Sequence, residues 1–214
     1  MPSLSDYLRE GRPDDLTIVS ASYNTSRYLR LNRTLVDVLN PGRRVWWLVV
    51  ENATDADSGP SLHGETSFVV LPGVPVIAAE RESIHYGSFQ HARAINVAVN
   101  YCATDRLLVL DPDCFIVLPE WISRLQLEMD QRHLGFWGVP YYPKRLCDFN
   151  SFGKTHMYFP TAICMMIDRA LINREYGYPL DFMPRCDPRF GCKNYYFRIE
   201  GMARAARQIM TGRF

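Results

Sequence analysis

Leu107-Leu108-Val109-Leu110-Asp111-Pro112-Asp113 joins an unbroken aliphatic run to a pair of carboxylates. A run this short with no polar face has the pattern of a strand covered on both sides within a parallel sheet. Side chains at the carboxyl end of such a strand stand where open α/β sheets bind their ligands. Two aspartates spaced i and i+2, with a proline stiffening the link, offer hard oxygen ligands to a divalent cation, which in turn holds phosphate oxygens. The same tripeptide is also ordinary turn chemistry, because Asp starts turns and proline presets φ. The neighbouring segments decide between the two readings.

Upstream, Leu16-Thr17-Ile18-Val19-Ser20-Ala21-Ser22 reads as a first buried strand and Tyr23-Asn24-Thr25-Ser26 as the turn leaving it. Thr25 or Ser26 is placed to cap a helix whose apolar positions Leu29, Leu31, Leu35, Val36 and Leu39 follow a helical period, and Asn40-Pro41-Gly42 stops it. Val45-Trp46-Trp47-Leu48-Val49-Val50 is a second strand ending at Glu51-Asn52, followed by a polar loop from Ala53 to Gly64. Strand, helix and strand in this order form a right-handed crossover between parallel strands.

Ser67 to Leu71 is expected as a third strand. Ser88 to Tyr101 is a helix with Ser88 as its N-cap and Phe89, Ala92, Ile95, Ala98 and Val99 on its apolar positions. Pro119 to Asp130 is expected as a helix with Pro119 in its first turn and Glu120 near the positive end of its dipole. Phe136 to Val139 and Ala162 to Ile167 look like strands, divided by the aromatic stretch Tyr141 to Tyr158. Tyr195 to Met210 mixes aromatic residues with an Ala/Arg-rich helix, and the first fifteen residues form a polar lead-in.

The expected fold is therefore α/β, with a Rossmann-like, mostly parallel sheet flanked by helices and a less regular C-terminal half. A chain of 214 residues can bury a substantial core, and a single domain over 1–214 is expected. Residues 1–118 are expected to form a nucleotide-binding half and 119–214 to cover an acceptor. Lys+Arg 24 against Asp+Glu 23 leaves a net charge of +1, so no overall field draws nucleic acid or an anionic membrane.

Met1 to Asp15 lacks the apolar core of a secretory signal, and no apolar stretch approaches the length of a transmembrane segment. The expected location is the cytoplasm, including the inner face of a membrane. The six cysteines, Cys102, Cys114, Cys147, Cys164, Cys186 and Cys192, show no CxxC pairing and are read as buried free thiols.

Four segments, taken in order, resemble the signposts of family 2 glycosyltransferases. They are Thr17 to Asn24, the Val49 to Asp55 loop, the helix with Ala92-Arg93-Ala94-Ile95-Asn96, and Leu108 to Asp113. Those enzymes use the A-type nucleotide-sugar fold and an Asp-X-Asp motif. The resemblance covers roughly the first half of the chain, and motif order is what chance rarely reproduces. It implies a nucleoside-diphosphate sugar donor, a saccharide or lipid-linked acceptor, and Mn²⁺ or Mg²⁺ held by Asp111 and Asp113 against the diphosphate. Asp111 would also lie toward the ribose or sugar. Ser20, Ser22 and Asn24 would line the nucleotide cleft, and Arg93 and Asn96 would contact phosphate or fix the Asp-X-Asp loop. Glu51 stands where such enzymes place an Asp against the base, and the added methylene leaves the base unassigned.

A cation stabilises negative charge developing on the leaving diphosphate. An acceptor hydroxyl must also lose a proton, for which Asp181, Asp187 and Glu200 are equivalent candidates. His85 and His91 have no ligand partner at zinc spacing and are read as structural, and His156 as a lone histidine in an aromatic loop. The aromatic residues Tyr141, Tyr142, Phe149, Phe152, Tyr158 and Phe159 either stack a sugar or pack beneath a loop. Two alternatives stay open: a non-catalytic sugar-nucleotide or glycan-binding domain, and a haloacid dehalogenase-type phosphatase. The phosphatase would normally carry its Asp-X-Asp after the first strand.

Overall fold

The computed structural model describes residues 3–52, 62, 65–75, 86–140, 160–176, 180, 182, 184–186 and 195–197. Helix α1 (Leu4–Glu10) precedes strand β1 (Leu16–Ser22), helix α2 (Ser26–Leu39) and strands β2 (Val45–Glu51) and β3 (Val69–Pro72). Helix α3 (Tyr86–Asn100), strand β4 (Arg106–Leu110) and helix α4 (Trp121–Arg132) follow. The remaining elements are β5 (Phe136–Pro140), β6 (Pro160–Asp168), α5 (Arg169–Tyr176), β7 (Pro184–Cys186) and β8 (Tyr195–Phe197).

Six strands form one sheet in the order β3-β2-β1-β4-β6-β5, and β7 pairs with β8 in a separate ribbon. Strands β3, β2, β1 and β4 are mutually parallel, whereas β6 runs antiparallel to β4 and β5 antiparallel to β6. The mostly parallel sheet read from the sequence is present. Strands from the second half of the chain complete it on one side.

Alternation along the strands sorts the core into two layers. Val19, Leu48, Val50, Leu107 and Val109 pack with Ala94, Ile95 and Ala98 of α3 on one face. Ile18, Trp47, Val49, Leu108 and Leu110 pack with Leu29 and Val36 of α2 and with Trp121 and Leu125 of α4 on the other. The crossover from β1 to β2 therefore lies on one face and the crossover from β3 to β4 on the opposite face. Between β1 and β4 the winding reverses, and this is where an open α/β sheet leaves a crevice at its carboxyl edge.

Several element ends differ from the sequence reading. The lead-in contains α1, whose start is fixed by a capping box between Ser3 and Asp6. Its Tyr7 is fully buried, with the hydroxyl 2.9 Å from Thr17 Oγ1 and accepting from the Ala103 amide at 2.6 Å. Ser88 lies inside α3 rather than capping it, because the helix begins at Tyr86.

Helix α4 begins at Trp121, leaving Pro119 outside it and Glu120 as a left-handed N-cap at φ 56°. Its amide end is served from another helix: Asn40 Oδ1 accepts from Ile122 N at 3.0 Å, while Glu120 N donates to the Leu39 carbonyl at 2.7 Å. A tertiary contact thus replaced the local cap.

Leu108 is fully buried in the layer shared with α2 and α4. Leu108→Ala is expected to lower stability by about 2–5 kcal/mol through lost burial and a residual cavity, measured by urea denaturation. A loss under about 1 kcal/mol would contradict this core assignment.

Candidate nucleotide-sugar site

Ser22, Glu51 and Asp111 stand along the carboxyl edge of three adjacent parallel strands. Ser22 pairs in register with Glu51. Continuing the β1–β4 register beyond Val19 opposite Val109 sets Asp111 level with Ala21. Glu51 and Asp111 thus flank the end of β1, roughly 10 Å apart at about 4.8 Å per strand. The edge is tied together by backbone and amide contacts. Asn52 N donates to the Ser22 carbonyl at 2.8 Å, and Asn52 Oδ1 accepts from Val74 N at 2.9 Å. Gly73 is closed to any side chain, since a Cβ there would come 2.5 Å from the Glu51 carbonyl oxygen.

The Asp-Pro-Asp loop is held by core side chains acting on its carbonyls. Ser20 Oγ donates to the Leu110 carbonyl at 2.6 Å and itself accepts from Trp47 Nε1 at 3.0 Å. Asn32 Nδ2, from α2, donates to the Pro112 carbonyl at 2.7 Å and to the Cys114 carbonyl at 3.1 Å. The turn itself closes through Cys114 N to the Asp111 carbonyl at 3.0 Å. Asp113 is left exposed and Asp111 partly so.

The sequence-selected residues therefore divide by role. Ser20 is fully buried with its hydroxyl engaged on both sides, so it shapes the loop rather than lining an open cleft. Ser22 is also buried and lies 3.0 Å from Thr25 Oγ1; Thr25, the N-cap of α2, makes no side-chain bond to the helix amides. Asn24 is exposed in the left-handed region at φ 54°, a conformation asparagine tolerates. Glu51 is half-buried at the edge.

On α3, Asn96 Oδ1 accepts from the Phe182 amide at 2.8 Å, fastening a later segment of the chain to the helix. Arg93 is half-buried on the same helix. Asp181, Asp187 and Glu200 lie outside the described residues, as do His85, His156 and the aromatic residues from Tyr141 to Phe159.

Sequence reasoning missed two residues of this neighbourhood. Asn32 carries no motif and is found only through the loop it holds. His91, which reads from the sequence as structural, meets the Asp-Pro-Asp loop: its Nε2 lies 2.9 Å from Asp111 Oδ1. A signal was available, because His91 precedes Ala94, Ile95 and Ala98 at helical spacing on the stripe that α3 buries.

Cys102 and Cys164 are buried free thiols, as expected, and Cys114 is free but only half-buried, while the side chains of the other three cysteines lie outside the described residues. Burial, reinforced by the negative charges of Asp111 and Asp113, raises the Cys114 thiol above its ordinary range. Cys164, beside it, is pushed up to about 12, chiefly by burial. Both stay protonated near neutrality and supply no soft thiolate beside the loop.

Among the described residues the hard oxygen donors on this loop are thus the carboxylates of Asp111 and Asp113. Among the described residues no group of three or more His, Cys, Asp or Glu side chains is arranged to hold a metal ion. Mg²⁺-like ions are commonly bound through one or two carboxylates together with phosphate oxygens and water, so this donor set fits a hard divalent cation that binds with a diphosphate.

No protein-family model matches the sequence, and no curated protein matches it. Solved structures do. A mannosyltransferase of Pyrobaculum calidifontis, in complex with GDP-Man and Mn²⁺, aligns with a TM-score of 0.50 at 14% identity, covering 82% of this chain and 53% of that one. The galactosyltransferase LgtC, in complex with donor and acceptor sugar analogs, aligns at a TM-score of 0.48 and 15% identity over 74% of this chain and 60% of its own. Mannosyl-3-phosphoglycerate synthase from Rubrobacter xylanophilus aligns at 0.45 and 14% over 99% and 85%. The chain spans about half the length of the mannosyltransferase. At this identity the likeness shows the fold: the chain has the A-type nucleotide-sugar fold.

Asn32→Ala is expected to cost about 1–3 kcal/mol for each loop carbonyl left without a donor, read from urea unfolding; an unchanged midpoint would mean that the carbonyls find other partners. Cys164 is expected to alkylate slowly in the native state. At pH 8 a thiol titrating near 12 is about one part in ten thousand thiolate, against roughly a quarter for an unperturbed cysteine. Peptide mass spectrometry after iodoacetamide treatment, with and without denaturant, measures the ratio. Native labelling as fast as in denaturant would contradict the buried thiol.

Proposed function

We propose that this A-type chain is a metal-dependent glycosyltransferase that moves a sugar from a nucleoside-diphosphate sugar to a hydroxyl acceptor, a glycan or a lipid-linked saccharide. The observation that carries the reading is the placement of Asp111 and Asp113. They leave the carboxyl end of β4 where the sheet winding reverses, on a loop whose backbone is fixed by Ser20 and Asn32. Bound between those carboxylates and the diphosphate, Mn²⁺ or Mg²⁺ would stabilise the charge of the leaving group.

The remaining work falls to the chain's own residues. Asp113, the more exposed carboxylate, faces the diphosphate side, and Asp111 lies toward the ribose or sugar. Glu51, across β1, takes the base end of the donor; Asn24, and Arg93 on α3, complete the donor contacts. Asp181, Asp187 and Glu200 remain the candidates to accept the acceptor proton. Residues 1–118 carry the donor side and 119–214 the acceptor side. Among the described residues no helix is long and apolar enough to cross a membrane. We place the enzyme in the cytoplasm or at the inner face of a membrane.

Tight donor binding raises stability by about 2.7 kcal/mol at a ligand concentration one hundred times Kd. For a chain of this size that corresponds to roughly 5–10 °C in Tm. UDP- or GDP-sugars are expected to produce such a shift only with Mn²⁺ or Mg²⁺ present, and Asp113→Ala to abolish it. Metal-independent binding that survives Asp113→Ala would refute the proposed site. Product mass spectrometry over a panel of nucleotide sugars then separates transfer, or slow donor hydrolysis, from binding alone.

A further inference from the structure

Asp111 is held twice, once through its loop and once through its carboxylate. The second contact comes from α3, on the sheet face opposite to the one that carries Asn32. His91 Nε2 lies 2.9 Å from Asp111 Oδ1, with the imidazole about one-third exposed and the carboxylate about one-quarter exposed. An ionised carboxylate only accepts hydrogen bonds, so the imidazole donates. The terminal torsion of aspartate is broad and two-fold, and without a partner the two oxygens of Asp111 would exchange freely. With Oδ1 committed to His91, Oδ2 is left for a cation or for the donor's ribose.

The position of His91 does not depend on the loop it serves. Ala94, Ile95 and Ala98, in line with it on α3, are buried against β1 and β2, so helix packing sets where the imidazole stands.

We propose that His91 is a positioning residue of the cation site, fixing the orientation of the Asp111 carboxylate before metal and donor arrive. The inference rests on the donor-site reading above. It is distinct from a plain surface ion pair, which would contribute little to folding and nothing to ligand affinity. Partners behind metal-binding side chains typically change metal affinity by about 10–100-fold when removed.

The test is Mn²⁺ binding, followed by the free-ion electron paramagnetic resonance signal with GDP or UDP present, on the full chain. His91→Ala is expected to raise the Kd for Mn²⁺ by about 10-fold or more while the ligand-free melting temperature changes little. His91→Gln, whose amide keeps an N–H donor near the position of Nε2, is expected to recover most of the affinity. If alanine unfolds the helix, His91→Leu keeps bulk and helix propensity without the donor and takes its place.

Equal Mn²⁺ affinity in wild type and His91→Ala would overturn the inference while leaving the donor site standing. Equal losses in the Ala and Gln variants would also overturn it, since the hydrogen bond would then not be the cause. Failure of the wild-type chain to bind Mn²⁺ with either nucleotide would instead bring down the donor-site reading itself.

Discussion

The candidate site depends on three backbone carbonyls, those of Leu110, Pro112 and Cys114, each accepting from a buried side chain of another element. A loop at a sheet edge is ordinarily among the looser parts of a fold. Here its alternate carbonyls are satisfied from inside, by Ser20 on β1 and Asn32 on α2. Leaving any of them unsatisfied would cost about as much as a lost buried hydrogen bond, so the loop has one favoured course. That course delivers Asp111 and Asp113 to the carboxyl edge with their backbone already placed. A pair of metal ligands needs such pre-placement, because two carboxylates brought together without a cation repel each other.

The same economy governs the surroundings. Asn40 ends α2 and its side chain serves the start of α4, so the helix after the loop is registered to α2 on the same sheet face. Tyr7 ties the N-terminal helix to Thr17 and Ala103, joining the amino ends of β1 and β4. Arg169 performs a similar task, donating to the Thr104 carbonyl at 2.9 Å. Both ends of β4 are therefore fastened to neighbours. The strand that leads into the carboxylates is thus held near both ends.

Much of the architecture was legible because burial on two faces writes itself into composition. Strands β1, β2 and β4 were marked by short, largely apolar runs bounded by turn residues, and the positions of α2 and α3 by helical spacing of apolar residues. Element ends were less legible. The expected start at Pro119 missed because the start of α4 is set by a contact remote in sequence, Asn40 against Ile122, and Ser88 falls inside α3. The missed α1 did carry a local sign, Ser3 followed by Asp6, but its anchor is the single buried Tyr7 rather than an apolar stripe.

By itself the sequence determined the parallel core and the placement of Asp111 and Asp113 at a strand's carboxyl end, since hydrophobic patterning and chain direction are local properties. Tertiary structure alone decided which side chains surround that pair. It turned Ser20 inward onto Leu110 and Trp47, brought Asn32 from one face and His91 from the other, and set Glu51 on the far side of β1. These are contacts between residues 20 to 90 positions apart, settled by strand order and helix packing, for which one-dimensional spacing carries no information.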